Sequence, residues 1–136
     1  MTLTLRVLAP DQSVFDGEAN EVILPSTTGQ LGVLPGHVSL ITALDTGVLR
    51  LRDGDGWKAI ALLGGFAEVE ADEVTVLVNS AELGSTINVE AANRELEAAQ
   101  SAAAGFEGQP ASTEKVKAQQ ALARAKARVQ ATLANS

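Results

Sequence analysis

The sequence predicts an antiparallel β-sandwich over residues 1–85, followed by an α-helical hairpin over residues 86–136. Short runs of alternating apolar and polar residues predict the sandwich, because glycine, proline or aspartate separates one run from the next. A change of composition predicts the hairpin, since fifteen alanines lie between residues 91 and 134. No helical pattern of about 10–15 residues separates the predicted strands, which argues against a parallel sheet of β-α-β units.

The first predicted strands are short. In residues 2–7 every second side chain is apolar, which is typical of a half-buried strand. Residues 21–24 form a second apolar run, and we expect Pro25 to end it. Residues 48–52 alternate again and lead into a turn at residues 53–56, where glycine can adopt the positive φ that a tight hairpin requires.

Two further strands are predicted after this hairpin turn. Alternation resumes at residues 57–63, is interrupted at Gly64 and Gly65, and continues to Ala71. A glycine pair inside a strand predicts a β-bulge or a bend. Asp72 predicts a turn, after which one face of the next strand is apolar. The apolar residues of that face are Val74, Val76 and Val78.

The first predicted helix begins at Asn88, whose side chain can cap it, and Glu90 lies near the positive end of the helix dipole. Its apolar residues recur at spacings of four and three: Ala92, Leu96, Ala99, Ala103 and Phe106. Gly105 and the Gly-Gln-Pro sequence at residues 108–110 end this helix. The connection that follows is short, which predicts an antiparallel pair of helices.

The second predicted helix begins near Ser112 or Thr113, and its apolar residues are Leu122, Ala125, Val129 and Leu133. The apolar residues of both helices are mostly alanines. Burial of an alanine side chain stabilises a fold by less than the ~1.5–3 kcal/mol that a buried leucine or valine contributes. Strong helix propensity combined with weak docking predicts a hairpin that can leave its neighbours while it stays helical. A permanently docked hairpin is the alternative interpretation.

Charge is unevenly distributed along the chain. The net charge is −7, and residues 1–85 hold four basic and twelve acidic side chains, which argues against a nucleic-acid partner. Residues 110–136 instead have a net charge of +4. The basic residues of this segment are Lys115, Lys117, Arg124, Lys126 and Arg128. They form either an ordinary solvated helix face or a contact for an acidic protein partner.

Few residues suit catalysis or metal binding. The chain has no cysteine and one histidine, His37, so we expect neither a thiolate nucleophile nor a cluster of cysteine or histidine ligands. Phosphate-loop, nucleophile-elbow and zinc-protease motifs are absent from the sequence. Nothing in the spacing selects a catalytic partner for His37, so a surface or interface histidine is the better interpretation. No apolar run approaches the ~18 residues of a membrane-spanning helix.

Residues 28–37 combine three glycines with apolar residues that look exposed. A phosphate-binding loop is a weak interpretation, because no lysine follows and no helical pattern opens after the loop. A pair of turns around a short strand is one remaining interpretation. The other is a docking edge for a second protein, since apolar residues on a glycine-shaped loop suit such a contact.

Several of these segments resemble the epsilon subunit of F-type ATP synthase, and its cyanobacterial and chloroplast members in particular. The most specific segment is Gly-Gln-Leu-Gly-Val-Leu-Pro-Gly-His at residues 29–37. The resemblance covers essentially the whole chain, and the other matching segments are residues 22–25, 44–48, 64–66 and 73–77. It implies an N-terminal β-sandwich and a C-terminal two-helix hairpin, in agreement with the residue patterns.

The resemblance also implies three partners. The sandwich would bind the gamma subunit and the ring of c subunits, as part of the central rotor. Gln30, Leu31 and Gly32 match the family's ring-contacting loop, and His37 matches a residue on the gamma-facing side. The hairpin would fold against the sandwich or extend along gamma, where its second helix meets an acidic loop of the beta subunit. The candidate residues for that contact are Lys115, Lys117, Arg124, Lys126 and Arg128.

Some family members bind ATP through a motif of Ile, Asp or Leu, two variable residues, Arg and Ala. Ile87 and Ala92 match this motif, whereas Asn88 and Ala91 stand where it commonly has Asp and Arg. The further residues at ATP-contacting positions are Glu82, Arg124 and Arg128. Because each lost charged hydrogen bond typically costs ~1.5–3 kcal/mol, we expect weak or absent ATP binding and no cofactor.

The resemblance therefore implies a noncatalytic subunit that couples proton translocation to ATP synthesis and inhibits ATP hydrolysis through its C-terminal helices. Its implied location is the cytoplasmic or stromal side of the thylakoid membrane, as a peripheral protein without a membrane span. The residues alone leave two other classes open. One is a β-sandwich binding module whose tail docks on an acidic protein, and the other is a small-molecule sensor or enzyme that uses the His37 loop.

Overall fold

The computed structural model describes residues 2–54 and 56–133 of the chain. Its strands are β1 (Leu3–Ala9), β2 (Gln12–Ala19), β3 (Glu21–Ser26), β4 (Gly29–Val33), β5 (Leu40–Leu44), β6 (Gly47–Asp53), β7 (Gly56–Glu70) and β8 (Glu73–Leu83). A short 3-10 turn at Gly84–Thr86 leads to two helices, α1 (Val89–Ala104) and α2 (Thr113–Leu133). The predicted fold class, a β-sandwich followed by a helical hairpin, is confirmed.

Strands β3 and β7 turn one sheet into a two-layered sandwich, because each pairs with several neighbours along its length. The hydrogen-bonded order is β2-β1-β8-β7-β5-β3-β4, and β6 pairs with both β3 and β7. The first half of β7 pairs with β6 and the second half with β5. Side chains that point between the layers form one core, which includes Leu5, Leu24, Leu49, Ile60 and Val76.

One strand pair departs from the predicted antiparallel arrangement. Strands β1 and β8 are parallel, with Leu5 opposite Val74 and Val7 opposite Val76. They are the first and last strands of the sandwich, so the whole meander between them makes the crossover that a parallel pair requires. The other pairs of described strands are antiparallel.

The glycine pair in the middle of β7 produces a bend rather than a bulge. Leu63 lies opposite Ser80 and Gly65 lies opposite Val78, so the register with β8 is the same on both sides of Gly64. Gly64 and Gly65 have φ angles of 41° and 150°, which a residue with a side chain rarely adopts. The bend lets one long strand serve both layers of the sandwich.

The alternation pattern did not predict β2 or β5 and ended β3 too early. Strand β2 is a largely polar edge strand that pairs with β1, and β5 carries apolar residues toward both faces, so neither alternates clearly. Pro25 lies inside β3, opposite Gln30, and its carbonyl accepts a hydrogen bond from the Asp45 N–H (2.9 Å). Proline is tolerated there because β3 changes its neighbour at this point from β6 to β5.

The predicted helix caps are confirmed. The Asn88 side chain accepts a hydrogen bond from the Ala91 N–H (2.9 Å), and the Ser112 hydroxyl accepts one from the Lys115 N–H (3.1 Å). Gly105 ends α1 as predicted. These caps satisfy backbone donors that would otherwise lack partners at each helix start.

The face that α2 buries differs in part from the predicted one. Its buried residues are Ala125, Ala127 and Ala131, whereas Leu133 is 71% exposed. The reason is that α2 packs against α1 on one side and against β6 and β7 on the other, so two stripes are buried instead of one. Within the described residues, α2 and the groups it packs against form a second apolar cluster, separate from the sandwich core. Its buried residues are Ala59, Ala61, Ile87, Ala92, Ala127 and Ala131.

Candidate functional site

The predicted ring-contacting residues lie on the edge strand β4, which pairs with β3. Gln30 and Gly32 are exposed, and Leu31 is half-buried against the sandwich core. Gly29 begins the strand with a φ of 124°, which shapes the tight turn from β3. A side chain at Gly32 would meet no atom within 4 Å, so the fold itself leaves open space there. The strand therefore presents a free, mostly polar edge.

His37 lies in the loop between β4 and β5, which is tied to the β7–β8 turn. The Gly36 N–H donates a hydrogen bond to the Asp72 carboxylate (2.7 Å), which joins this loop to the β7–β8 turn. The His37 N–H donates to the Leu34 carbonyl (3.1 Å), and its ring Nδ1 lies 2.7 Å from the Val38 carbonyl. The first contact shapes the backbone turn, and the second orients the imidazole ring.

An exposed apolar surface, which the sequence did not reveal, crosses four strands of one layer. Phe66 of β7 lies opposite Leu77 of β8, which lies opposite Leu8 of β1; on the other side Phe66 faces Ala43 of β5. Phe66 is 45% exposed, Leu77 39%, and the neighbouring Ile41 70%. We call Leu8, Ile41, Ala43, Phe66 and Leu77 the outer apolar face. The sequence does contain an indication of this face: Leu77 and Phe66 stand at the alternate positions of their strands, which point away from the buried residues.

Large apolar side chains on a surface layer favour a protein interface. A shallow groove of about 290 Å³ is lined by Leu8, Phe66 and Leu77. A side chain of a partner protein could bind in this groove. Two further exposed apolar residues lie in the His37 loop, which precedes β5: Val38 is 74% exposed and Leu34 is 52% exposed. The face and the loop together form one candidate docking surface.

The five basic residues of α2 fall into two groups. Arg128 pairs with Glu82 of β8 and with Glu95 of α1. The Lys115 ammonium donates to the Gln109 carbonyl (2.7 Å) in the connection between the helices. Among the described residues, no ion pair involves Lys117, Arg124 or Lys126, and all three are exposed on the helix surface.

The structure brings only some of the predicted ATP-contacting residues together. Glu82, Arg124 and Arg128 line one small cavity between the sheet and α2 that holds about 10 Å³ of solvent space. Ligand pockets are typically ~300–1,000 Å³, so this cavity does not accommodate a nucleotide in the observed arrangement. Ile87 and Ala92 are buried in the apolar cluster under α2, and Asn88 uses its side chain as the helix cap.

Among the described residues, no helix is long and apolar enough to cross a membrane, and no three His, Cys, Asp or Glu side chains gather as metal ligands.

Comparison with protein families assigns both halves of the chain. Residues 2–84 match the ATP synthase delta/epsilon chain β-sandwich domain, and residues 85–132 match the ATP synthase delta/epsilon chain long α-helix domain. Among curated relatives, the ATP synthase epsilon chain of Synechococcus sp. (strain WH7803) is 72% identical over 131 residues, which are 96% of each chain. That of Synechococcus sp. (strain RCC307) is 69% identical over 135 residues, 99% of this chain and 100% of the relative.

Solved structures show the same fold at low sequence identity. A chain from the Euglena gracilis mitochondrial ATP synthase, in a structure of its OSCP/F1/c-ring, superposes with a TM-score of 0.79 and 21% identity, covering 97% of this chain and 81% of that one. A chain from the Tetrahymena thermophila mitochondrial ATP synthase central stalk and c-ring gives a TM-score of 0.61 and 13% identity, covering 97% of both chains. With both domains matched in order and close relatives covered nearly end to end, the chain belongs to the delta/epsilon chain family of ATP synthases.

Proposed function

We propose that this chain is a noncatalytic subunit of the ATP synthase central rotor, where it couples proton translocation to ATP synthesis. The observation that carries the proposal is the outer apolar face, because a layer that exposes Phe66, Leu77 and Ile41 together is typical of a protein docking surface. The similarity to chains in F1/c-ring and central-stalk structures supports a place in the rotor.

The docking surfaces point to two rotor partners. The outer apolar face and the His37 loop suit the gamma subunit, since both expose apolar residues and the loop leads directly into β5, which carries Ile41 and Ala43 of the face. The free edge at Gln30, Leu31 and Gly32 suits the polar loops of the c-ring, because an edge strand offers unpaired backbone groups and exposed side chains. One protein therefore connects the shaft of the rotor with its membrane ring.

The helical hairpin supplies the inhibitory part of the proposed function. In the folded arrangement α2 rests on the sandwich through small alanine contacts, while Lys117, Arg124 and Lys126 have no ion-pair partner among the described residues. When the hairpin extends, this basic helix contacts an acidic loop of the beta subunit and restrains ATP hydrolysis. The protein works at the cytoplasmic or stromal face of a thylakoid membrane, a location supported by its cyanobacterial relatives.

Truncation after Ser85 tests both parts of this function. The apolar core lies wholly within residues 3–81, so the remaining sandwich keeps its core and is expected to bind gamma as the full chain does. ATP hydrolysis by a complex reassembled with the truncated chain is expected to rise severalfold, because the inhibitory helices are missing. Gamma binding is measured by co-purification and hydrolysis by phosphate release. Unchanged hydrolysis would contradict the inhibitory role, and lost gamma binding would contradict the docking role.

Nucleotide binding is proposed to be weak or absent. The cavity at Glu82, Arg124 and Arg128 is far smaller than a nucleotide, and Arg128 is already paired with two carboxylates. Titration of the isolated chain with MgATP in a calorimeter is therefore expected to give no saturable heat below millimolar concentration. Saturation in the micromolar range would contradict this prediction.

A further inference from the structure

Arg128 connects three separate elements of the fold. Its Nη2 lies 3.2 Å from Oε2 of Glu82, its Nε donates to the same oxygen at 3.3 Å, and its Nη1 donates to Glu95. Glu82 lies on β8 of the sandwich, Glu95 on α1, and Arg128 on α2. We call these three residues the Arg128 cluster. Through it, one guanidinium joins the second helix to the first helix and to the sandwich.

The burial of the cluster makes its ion pairs stronger than ordinary surface pairs. The Arg128 side chain is 20% exposed, Glu82 34% and Glu95 41%, so solvent and salt screen the pairs only in part. The two nitrogens that reach Glu82 hold the guanidinium in a defined orientation. Removal of either carboxylate leaves the partly buried Arg128 guanidinium with one carboxylate partner instead of two.

The Arg128 cluster is also distinctive in what it joins. The other ion pairs within residues 2–54 and 56–133 connect strands of the sandwich to one another, as in Arg6–Asp16 and Arg52–Glu21. Arg128 alone, among those described pairs, connects the hairpin to the sandwich. The apolar contacts between them are mostly between alanines, which contribute little each. The Arg128–Glu82 pair therefore adds a polar contribution to docking beside these small apolar contacts.

We propose that the Arg128 cluster holds the hairpin on the sandwich in the absence of nucleotide, and that an acidic partner promotes undocking by taking Arg128 from Glu82 and Glu95. This inference rests on the inhibitory function proposed above. A guanidinium bound to these two carboxylates is not available to an acidic loop, so the folded and inhibitory states compete for the same side chain. Because one Arg128 side chain cannot bind both sets of carboxylates, the folded state and the inhibitory state exclude each other.

A thiol-protection measurement on the isolated chain tests the cluster. Because the chain has no cysteine, Ala59→Cys places one thiol under α2, in a position that is 1% exposed and outside the cavity that Glu82 and Arg128 line. Its labelling rate then reports the fraction of molecules in which the hairpin is undocked. A second reporter, Ala67→Cys in the sandwich core, reports global unfolding. The exposed Ala121→Cys gives the rate for a freely accessible thiol.

Loss of the cluster is expected to raise the undocked fraction about tenfold. We expect Glu82→Gln with Glu95→Gln, and separately Arg128→Gln, to accelerate labelling of the Ala59→Cys thiol by that factor, with no change at Ala67→Cys. When all three substitutions are combined, we expect the labelling rate to be little higher than in either variant alone, because each set of changes removes the same ion pairs. Glu97→Gln on α1 and Lys126→Gln on α2 are matched controls, since both residues are exposed and outside the cluster. Labelling within twofold of these controls would overturn the proposal.

The inhibitory function is tested separately in the reassembled complex. Glu82→Gln with Glu95→Gln keeps Arg128 and is expected to lower ATP hydrolysis severalfold, because Arg128 is released to the acidic partner. Arg128→Gln also frees the hairpin but lacks the side chain that the partner binds, so its hydrolysis is expected to exceed that of the glutamine pair. If labelling accelerates while hydrolysis stays unchanged in both, the cluster is supported and the inhibitory function is contradicted.

Discussion

Ala131→Leu is expected to release the helical hairpin from the sandwich and to strengthen inhibition of ATP hydrolysis. Ala131 is fully buried in the apolar cluster between α2 and the sheet. A leucine adds three carbon atoms at this fully buried position, and overpacking of this kind costs ~1–3 kcal/mol. Since each ~1.4 kcal/mol changes an equilibrium tenfold, the undocked fraction is expected to rise between about fivefold and a hundredfold.

A matched control separates docking from helix stability. Ala121 lies on the exposed face of the same helix, and Ala121→Leu makes the same chemical change without a neighbour to displace. Alanine and leucine have similar helix propensities, so neither change alters the helix itself by much. Labelling of a cysteine under α2 and phosphate release by the reassembled complex are the two measurements. Equal behaviour of the two variants would contradict a hairpin whose docking depends on close alanine packing.

The sequence predicted those features that depend on local chemistry. The helix caps at Asn88 and Ser112 and the turn at Asp72 follow from neighbouring residues, and each is found where it was expected. Strands β1, β6 and β8 could also be predicted from the sequence. One face of each is buried and the other is not, so their apolar and polar residues alternate. A polar edge strand such as β2 carries no such contrast, and alternation could not reveal it.

The parts of the site that the sequence could not predict depend on tertiary contacts. Arg128 and Glu82 are 46 residues apart, and nothing local selects this pair from the many basic and acidic residues of the chain. Ala127 and Ala131 look like ordinary helix formers until α2 is seen to pack on two sides. Phe66 and Leu77 are single outward residues on separate strands, and only the strand register makes them neighbours.

Gly65→Ala is expected to destabilise the sandwich more than the same change at the adjacent glycine. Gly65 has a φ of 150°, and an added Cβ would lie 2.8 Å from the Val78 Cα and closer still to the Leu77 carbonyl oxygen. Both are backbone atoms of β8, so no rotation of a side chain relieves the clash. The unfavourable φ and the displaced strand together cost about 3–5 kcal/mol. For a domain of this size that lowers the melting temperature by roughly 15 °C.

Gly64→Ala is the matched control for this change. Its φ of 41° lies in the left-handed region, and the nearest atom to an added Cβ is the Asn79 side-chain nitrogen at 3.8 Å. The expected cost is therefore only about 1–2 kcal/mol. Thermal unfolding followed by circular dichroism measures both variants. If Gly65→Ala melted as high as Gly64→Ala, the close approach of β7 and β8 at the bend would be contradicted.

The bend also links this stability prediction to function, because it lies between the two surfaces that β7 carries. Ala59 and Ala61, before the bend, form part of the floor under α2, and Phe66, after it, belongs to the outer apolar face. Displacement of β8 from Gly65 shifts these surfaces relative to each other. Gly65→Ala is therefore expected to weaken both gamma binding and hairpin docking well below the melting temperature, whereas Ala131→Leu weakens docking alone. Intact gamma binding with loss of docking in Gly65→Ala would show that the two surfaces are independent.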